Sequence, residues 1–206
     1  MTNEEAAKYI QTYYMKTNVY YHIWAPADTD MWKLMVDEQI KRLYRSGLPE
    51  VATVKCAING PQASRIAEFV SLYDWINILG VQDSDEEYEG FTLKHLYEDC
   101  VNERATKVMY FHTKGMSHTC GTRDHYSDRK VRAINSWRHL MEWGCIDKWK
   151  ENLDKLDEYQ VSGVNYCLDP WPHMSGNFWW ARADYIATLQ HPTKDAFVRE
   201  KEDFGP

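Results

Sequence analysis

The stretch Lys107-Val-Met-Tyr-Phe-His-Thr-Lys-Gly115 decides the fold class that the sequence predicts. Its apolar part, Val108 to Phe111, is too short for a helix and does not alternate with polar residues, which is typical of a central strand covered on both faces. The residues from His112 onward are polar, and Gly115 frees the backbone to turn. Ligands of open α/β sheets bind beyond the carboxyl ends of the strands, so the stretch predicts an anion site there. On its own, it is equally compatible with an ordinary solvated strand end.

Predicted strands and helices alternate on the amino-terminal side of this stretch. Runs of strand-forming residues occupy 19–24, 51–58 and 75–81. Helices with apolar residues at helical spacing follow them. The first is capped by Asp28 or Asp30, the second begins at Pro61 and the third begins at Thr92. This alternation predicts an α/β fold, in which helices cover both faces of a mixed, mostly parallel, Rossmann-like sheet.

The carboxyl-terminal side of the stretch is less regular. A polar loop is predicted at 116–128, and loops of about a dozen residues are commonly functional. We expect a helix from Asp128 to Leu156, broken at Gly144, followed by strands at 161–166 and 175–181. Asp184 is the predicted cap of a short helix after them.

The composition restricts the classes of protein to which the chain belongs. The net charge of −7 over 206 residues argues against nonspecific binding to nucleic acids. No segment is apolar enough to span a bilayer, and the amino end does not read as a signal peptide. Five cysteines without a Cys-x-x-Cys pair predict reduced thiols and a cytoplasmic protein. We expect one domain over 1–206, either alone or as the amino-terminal part of a longer protein.

Two candidate sites fall on the predicted loop at 116–128. A zinc site would use His118, Cys120 and His125, with His112 as a further ligand, but their spacing lacks the paired short-range ligands of structural zinc. Alternatively, Cys120 would be a nucleophile with a histidine as its base. Either arrangement would make the protein a hydrolase. The chain carries neither a glycine-rich P-loop nor a Gly-x-Gly-x-x-Gly motif, which argues against kinase-type and dinucleotide-binding sites.

A further candidate joins the strand end at 112–115 to the segment Ser175-Gly-Asn-Phe-Trp-Trp-Ala181. Gly176 allows close approach of a ligand, Asn177 offers amide hydrogen bonds, and Trp179 and Trp180 supply flat apolar faces. Aromatic rings beside amides are typical of carbohydrate sites. Side chains alternate along a strand, so one of the two indoles would face the core and the other a groove.

Three strings in the chain now permit a family comparison: Tyr110-x-His112-Thr113-Lys114-Gly115, Trp137-Arg138 and Ser175–Ala181. With the order of strands and helices, they resemble the GT-A-fold glycosyltransferases that use nucleotide sugars, over nearly the whole chain. Within that fold the chain is similar to the amino-terminal glycosyltransferase domain of a multidomain chlorella-virus protein that builds capsid glycans. The resemblance implies transfer of a hexose or deoxyhexose, of the glucose or rhamnose type, from a UDP-sugar to a glycan or glycoprotein acceptor. It also implies Mn²⁺ as a cofactor and, for a viral protein, the host cytoplasm as the location.

The resemblance also implies where the nucleotide would bind. Ala25 and Pro26, after the first strand, and Asp83, after the third, would hold the uridine. The residues expected to face the diphosphate are polar or small: Lys94, His112, Thr113, Lys114 and Gly115.

The donor sugar and the acceptor would lie on the carboxyl-terminal side. Asn177 and Trp179 would face the sugar, whereas His173, Asp169 and the 116–128 loop would face the acceptor. An inverting transfer needs a carboxylate that deprotonates the acceptor hydroxyl, and Asp169 is an outside candidate for it. The main candidates lie in the acidic tail: Glu200, Glu202 and Asp203.

The chain departs from the family at the metal site. GT-A enzymes usually carry Asp-x-Asp at the end of the fourth strand, where this chain has His112, Thr113 and Lys114. Lys114 would neutralise the diphosphate as a point charge, and His112 would be the remaining metal ligand. The chain's Asp83-Ser84-Asp85 follows the third strand, where it would face the uridine instead. A catalytically silent module that binds carbohydrate or nucleotide is the alternative from a different functional class.

Overall fold

The protein is built around a six-stranded sheet whose spatial order is β3-β2-β1-β4-β8-β5. The structure, a computed structural model, describes residues 2, 16–27, 30–84, 86–116, 128–169 and 172–192, with residue 128 as backbone only. The strands are β1 (Thr17–Trp24), β2 (Thr53–Asn59), β3 (Ile76–Gln82), β4 (Lys107–His112), β5 (Val161–Gly163), β6 (Tyr166–Cys167), β7 (His173–Met174) and β8 (Trp179–Arg182). Strands β6 and β7 form a separate hairpin.

The sheet is mixed and mostly parallel. Strands β1 to β4 are parallel to one another, whereas β8 runs antiparallel to both β4 and β5. The reversal of β8 places its amino end beside the carboxyl end of β4. The predicted α/β class and the mixed, mostly parallel sheet are confirmed.

Helices cover both faces of this sheet. They are α1 (Trp32–Ser46), α2 (Ala63–Val70), α3 (Gly90–Val101), α4 (Asp128–Glu142), α5 (Trp149–Lys155) and α6 (Ala183–Ile186). Alternation along β1 directs Val19, Tyr21 and Ile23 to an apolar cluster with residues of α1, α2, α4 and α5. Tyr20 points the other way, into a second cluster with residues of α3 and α6. None of the described helices combines the length and apolar character needed to cross a membrane.

Strand β4 lies at the centre and all six of its residues are buried. Its apolar run is therefore explained by cover on both faces. Its first residue, Lys107, is buried as well, and its ammonium donates to the carbonyl of Leu153 at 2.9 Å and to Asp157 at 2.8 Å. These partners offset the cost of removing the charge from water.

Several predicted boundaries differ from the structure because of left-handed backbone. The predicted strand at 175–181 begins only at Trp179, since Gly176 and Asn177 have φ angles of 93° and 61°. The predicted strand at 161–166 is interrupted by Asn165, with a φ of 58°. The break predicted at Gly144 is present as a π-helical segment at Trp143–Asp147.

The predicted helix starts were also displaced. Helix α2 begins at Ala63 rather than at Pro61, because Gly60 and Pro61 form a turn that the Ala63 N–H closes onto the Gly60 carbonyl at 3.0 Å. The short helix α6 is preceded by Arg182, and Asp184 lies within its first turn instead of capping it. Helix α1 has no side-chain cap.

Candidate active site

Three segments meet at the carboxyl edge of the parallel strands: the ends of β1 and β4, and the turn that precedes β8. Pairing of Tyr110 with Trp179 brings the start of β8 to the end of β4. The imidazole of His112 then donates a hydrogen bond from Nε2 to the carbonyl of Gly176, at 3.0 Å. The two segments that sequence analysis placed in one site are thus in direct contact.

Two histidines lie side by side at this edge. His22 of β1 and His112 of β4 are register partners in adjacent strands. His22 Nδ1 lies 2.8 Å from the hydroxyl of Thr92 in α3. Burial lowers the pKa of His22 to about 3, so its ring is neutral at physiological pH. Within the described residues, its Nε2 is buried without a hydrogen-bond partner.

Glu89, just before α3, is the acidic member of this cluster. Its Oε2 accepts hydrogen bonds from the Tyr110 hydroxyl, at 2.9 Å, and from the Asn177 amide. Its Oε1 lies 3.5 Å from His112 Nδ1. Burial alone would raise the pKa of Glu89, but the neighbouring His112 and the hydrogen bonds from Tyr110 and Asn177 hold that pKa below its usual value. The carboxylate is therefore ionised at neutral pH.

His112, the metal ligand that the sequence predicts, is held by protein groups on both sides of its ring. One ring nitrogen faces the carbonyl oxygen of Gly176 and the other faces the carboxylate of Glu89. In the described part of the chain, no group of three or more His, Cys, Asp or Glu side chains is arranged to hold a metal ion. Asp85 of the Asp-x-Asp string lies outside the described ranges, and Mn²⁺ stays a prediction.

A groove of about 740 Å³ adjoins the cluster on the α3 side of the sheet. Asn177, Trp179 and His173 line it together, and the residues around them are largely apolar and aromatic. Trp179 stacks on Tyr110 with ring centroids 5.5 Å apart, and its Nε1 donates to Asn177 Oδ1 at 2.8 Å. Trp180, by contrast, is fully buried and donates to the carbonyl of Cys145. Trp179 is thus the groove-facing indole.

The residues predicted to hold uridine lie on either side of the end of β2. Ala25 and Pro26 are buried, and the Pro26 carbonyl accepts a hydrogen bond from Gln62 at 2.9 Å. Asp83 is exposed and accepts from the Ser64 hydroxyl at 3.2 Å. Two strand spacings separate β1 from β3, which is about 10 Å.

The residues predicted to face the diphosphate occupy different surroundings. Thr113 is buried, and its hydroxyl donates to the Trp24 carbonyl at 2.9 Å and accepts from the Trp24 N–H at 3.1 Å, so it links β4 to β1. Gly115, with a φ of 86°, is packed against Ile134 of α4. The Lys114 ammonium stands 4.9 Å from the ring centroid of Trp137.

Lys94 is not brought to the cluster. It is exposed on α3 and lies two residues after Thr92, which is about 200° around the helix. On the acceptor side, His173 lines the groove and Asp169 is exposed after β6.

Several predicted residues lie outside the described part of the chain. They are the acidic candidates for the base, Glu200, Glu202 and Asp203, and the ligands and nucleophile proposed for the loop, His118, Cys120 and His125. The four described cysteines are free, and burial raises the pKa of Cys56, Cys100 and Cys145 to about 12. Those three thiols are thus protonated and unreactive.

Sequence analysis missed four residues of the cluster: His22, Glu89, Thr92 and Tyr110. Glu89 lies three residues before the predicted helix start at Thr92, and this place just ahead of a helix was the available signal. His22 and Tyr110 sat inside apolar strands. Only the register of β1 against β4 shows that His22 and His112 adjoin.

Comparison with known proteins gives a family. A family model described as "Domain of unknown function (DUF8361)" matches residues 20–204. No curated protein matches the chain. Among solved structures, the chain is similar to one provisionally named a nucleotide-diphospho-sugar transferase, from Desulfovibrio desulfuricans G20, at 10% identity and a TM-score of 0.44, covering 85% of this chain and 69% of that one. It is also similar to a 4-diphosphocytidyl-2C-methyl-D-erythritol synthase from Anaerococcus prevotii DSM 20548, at 9% identity and a TM-score of 0.44, covering 84% and 74%.

Proposed function

The chain belongs to this family of unknown function, and we propose that it is a glycosyltransferase that moves a sugar from a nucleoside diphosphate to a glycan acceptor. One observation carries the proposal: an ionised, hydrogen-bonded cluster at the carboxyl end of β4 adjoins an aromatic groove that runs along β8 and β5. Asn177 belongs to both, because it contacts Glu89 and lines the groove. Ligands of open α/β sheets bind beyond the carboxyl ends of the strands.

The groove suits a sugar ring. The indole of Trp179 offers a flat apolar face, and the Asn177 amide and the His173 imidazole add polar groups at its margin. Ligand sites commonly combine an apolar lining with a few placed polar groups, in cavities of about 300–1,000 Å³. We assign the donor sugar to Trp179 and Asn177, and the acceptor to the His173 side.

The finer assignments rest on the sequence resemblance. We propose UDP as the nucleotide, with Ala25, Pro26 and Asp83 as its uridine contacts. A glucose or rhamnose type of sugar, an acceptor in capsid glycans and a cytoplasmic setting belong to the same proposal.

The transfer forms a bond between the acceptor oxygen and the anomeric carbon, and it breaks the bond from that carbon to the β-phosphate oxygen. The leaving UDP keeps the bonding electrons, and the hydroxyl proton passes to a carboxylate, for which Glu200, Glu202 and Asp203 remain the candidates. His112, Thr113 and Lys114 stand where GT-A enzymes usually carry Asp-x-Asp, so we assign the positive charge that meets the departing phosphate to Lys114.

Titration calorimetry with UDP, UDP-glucose, UDP-rhamnose and GDP tests the proposal, followed by an assay of UDP release with a panel of glycan acceptors. We expect the uridine ligands to bind, GDP to fail, and UDP to be released. Absence of binding by every uridine ligand would overturn the proposal. Binding without UDP release, with or without acceptors, would instead identify a silent binding module.

A further inference from the structure

Glu89 connects the start of α3 to the floor of the groove. The Glu89 side chain is 15% exposed. Its carboxylate accepts hydrogen bonds from Tyr110 of β4 and from Asn177 of the turn before β8. Both donors approach the same oxygen, Oε2. A carboxylate can accept several hydrogen bonds at once, and bonds to an ionised acceptor are roughly twice as strong as neutral ones.

The bond to Glu89 determines which way the Asn177 amide faces. Its nitrogen donates to the carboxylate, while its oxygen accepts from the indole N–H of Trp179 at 2.8 Å. Reversing the amide would place its oxygen against the carboxylate and its NH₂ against the indole donor, and both contacts would become repulsive. The hydrogen bond to Glu89, just before α3, thus fixes the orientation of the Asn177 amide and, through that amide, the orientation of the Trp179 indole.

The backbone of the same turn is held in an uncommon conformation. Asn177 has a φ of 61°, and its N–H donates to the Met174 carbonyl at 3.0 Å. A residue other than glycine in the left-handed region persists only where surrounding contacts determine it. Glu89 supplies one such contact through the side chain, and His112 supplies another through the Gly176 carbonyl.

We propose that Glu89 is a positioning residue for the donor sugar: it orients the Asn177 amide so that the second N–H of that amide meets a sugar hydroxyl above Trp179. The inference takes its ligand, a nucleotide sugar, from the proposed function. It takes its geometry from the hydrogen bonds of Glu89 and Asn177. Glu89 itself contacts neither the nucleotide nor the reacting atoms in this assignment. Its effect therefore falls on the sugar and not on UDP.

Calorimetry on Glu89→Ala and Glu89→Gln tests the ligand side. Glu89→Ala removes the acceptor of two buried donors, and we expect the Kd for UDP-glucose to rise at least tenfold while the Kd for UDP changes less than twofold. Glu89→Gln still offers one oxygen to both donors, so it should bind UDP-glucose within about threefold of the wild-type protein. Glu151→Ala, at an exposed position on α5, is the control.

Nuclear magnetic resonance of the side-chain amides tests the geometry without any ligand. The Asn177 amide should exchange slowly with solvent in the wild-type protein and in Glu89→Gln, and at least tenfold faster in Glu89→Ala. The buried amide of Asn152, held by the carbonyls of Gly144 and Lys148, is the internal reference.

The outcomes separate the two proposals. A wild-type protein that binds no uridine ligand overturns the proposed function, and the sugar-positioning role falls with it. If the wild-type protein binds both ligands and Glu89→Ala weakens UDP and UDP-glucose equally, only the positioning role is overturned. An Asn177 amide whose exchange is unchanged in Glu89→Ala would also overturn that role.

Discussion

The His112 imidazole donates to the carbonyl oxygen of Gly176, which lies 64 residues further along the chain and 3.0 Å away. A carbonyl oxygen only accepts, so this contact places a proton on Nε2 of His112. It also connects the end of β4 to the turn at Gly176 and Asn177, which has positive φ angles and precedes β8. The relation between these two residues holds the two halves of the candidate site in register.

Replacement of Trp179 tests the assignment of the groove. We expect Trp179→Ala to raise the Kd for UDP-glucose tenfold or more and to change the Kd for UDP less than threefold, since loss of a stacked aromatic ring commonly costs about 1–3 kcal/mol. The measurement is calorimetry on folded protein, with circular dichroism as the check. Trp143→Ala, at an indole that is 47% exposed, is the matched control. Equal losses for both ligands would contradict the assignment.

Replacement of Lys114 tests the source of positive charge. Removal of one positioned electrostatic donor commonly costs about 3 kcal/mol in the transition state, so Lys114→Ala should lower kcat roughly a hundredfold. Lys114→Arg should recover only part of the rate, because the guanidinium differs in shape and reach. The control is Lys41→Ala, because Lys41 is an exposed lysine of α1 that pairs only with Asp37 in the same helix among the ion pairs of the described residues. Rates of UDP release would be measured for all three variants. A near-normal rate in Lys114→Ala would assign the countercharge to another group.

A pair of glycines separates backbone strain from crowding. Gly47 and Gly176 both have positive φ angles, but an added Cβ meets nothing within 4 Å at Gly47 and clashes with Met141 at Gly176. We expect Gly47→Ala to lower the free energy of unfolding by about 1 kcal/mol. Gly176→Ala should lower it by about 2–4 kcal/mol, because overpacking against a buried side chain adds to the strain. Urea denaturation measures both, and similar losses would show that Met141 moves aside.

Asp99 gives the stability a defined pH dependence. Its side chain is 10% exposed, pairs with Lys55 and accepts from the Tyr20 hydroxyl at 2.7 Å. Burial opposes ionisation, but the hydrogen bonds from Lys55 and Tyr20 and the charge of Lys55 hold the pKa of Asp99 below its usual value. A depressed pKa contributes stability above the unfolded-state value of about 3.9, and that contribution is lost as the pH falls through the folded-state value.

The corresponding variant is Asp99→Asn. At pH 7 it should unfold with a free energy about 1–3 kcal/mol below that of the wild-type protein, because a hydrogen bond to a charged group is lost from a largely buried site. The difference should shrink as the pH falls from about 3.9, the pKa of the carboxyl in the unfolded state, toward its lower pKa in the folded state. Urea titrations between pH 3 and pH 7 would measure it. A difference that stays constant over this range would show that the charge of Asp99 is not responsible.

The local parts of the fold could be predicted from the sequence, whereas the contacts between distant segments could not. The apolar run at 108–111 and the polar residues after it are one continuous pattern, so β4 and its end were visible directly. The start of β8 was misjudged because Asn177 adopts a backbone conformation that its sequence neighbours do not require. Glu89 was missed because its partners, Tyr110 and Asn177, lie 21 and 88 residues away. Such convergence depends on the direction of β8, which no local pattern encodes.

The reversed direction of β8 has a consequence for the order in which the protein acquires its site. Strands β1 to β4 pair with one another through segments that are complete by residue 112, but the groove does not exist until β8 has joined β4. A ligand that binds only this completed arrangement stabilises the docking of β8 by mass action. Amide hydrogen exchange in Trp179–Arg182 should therefore slow when donor is added, while exchange in β2 stays unchanged. Exchange in β8 would then report whether the groove is occupied.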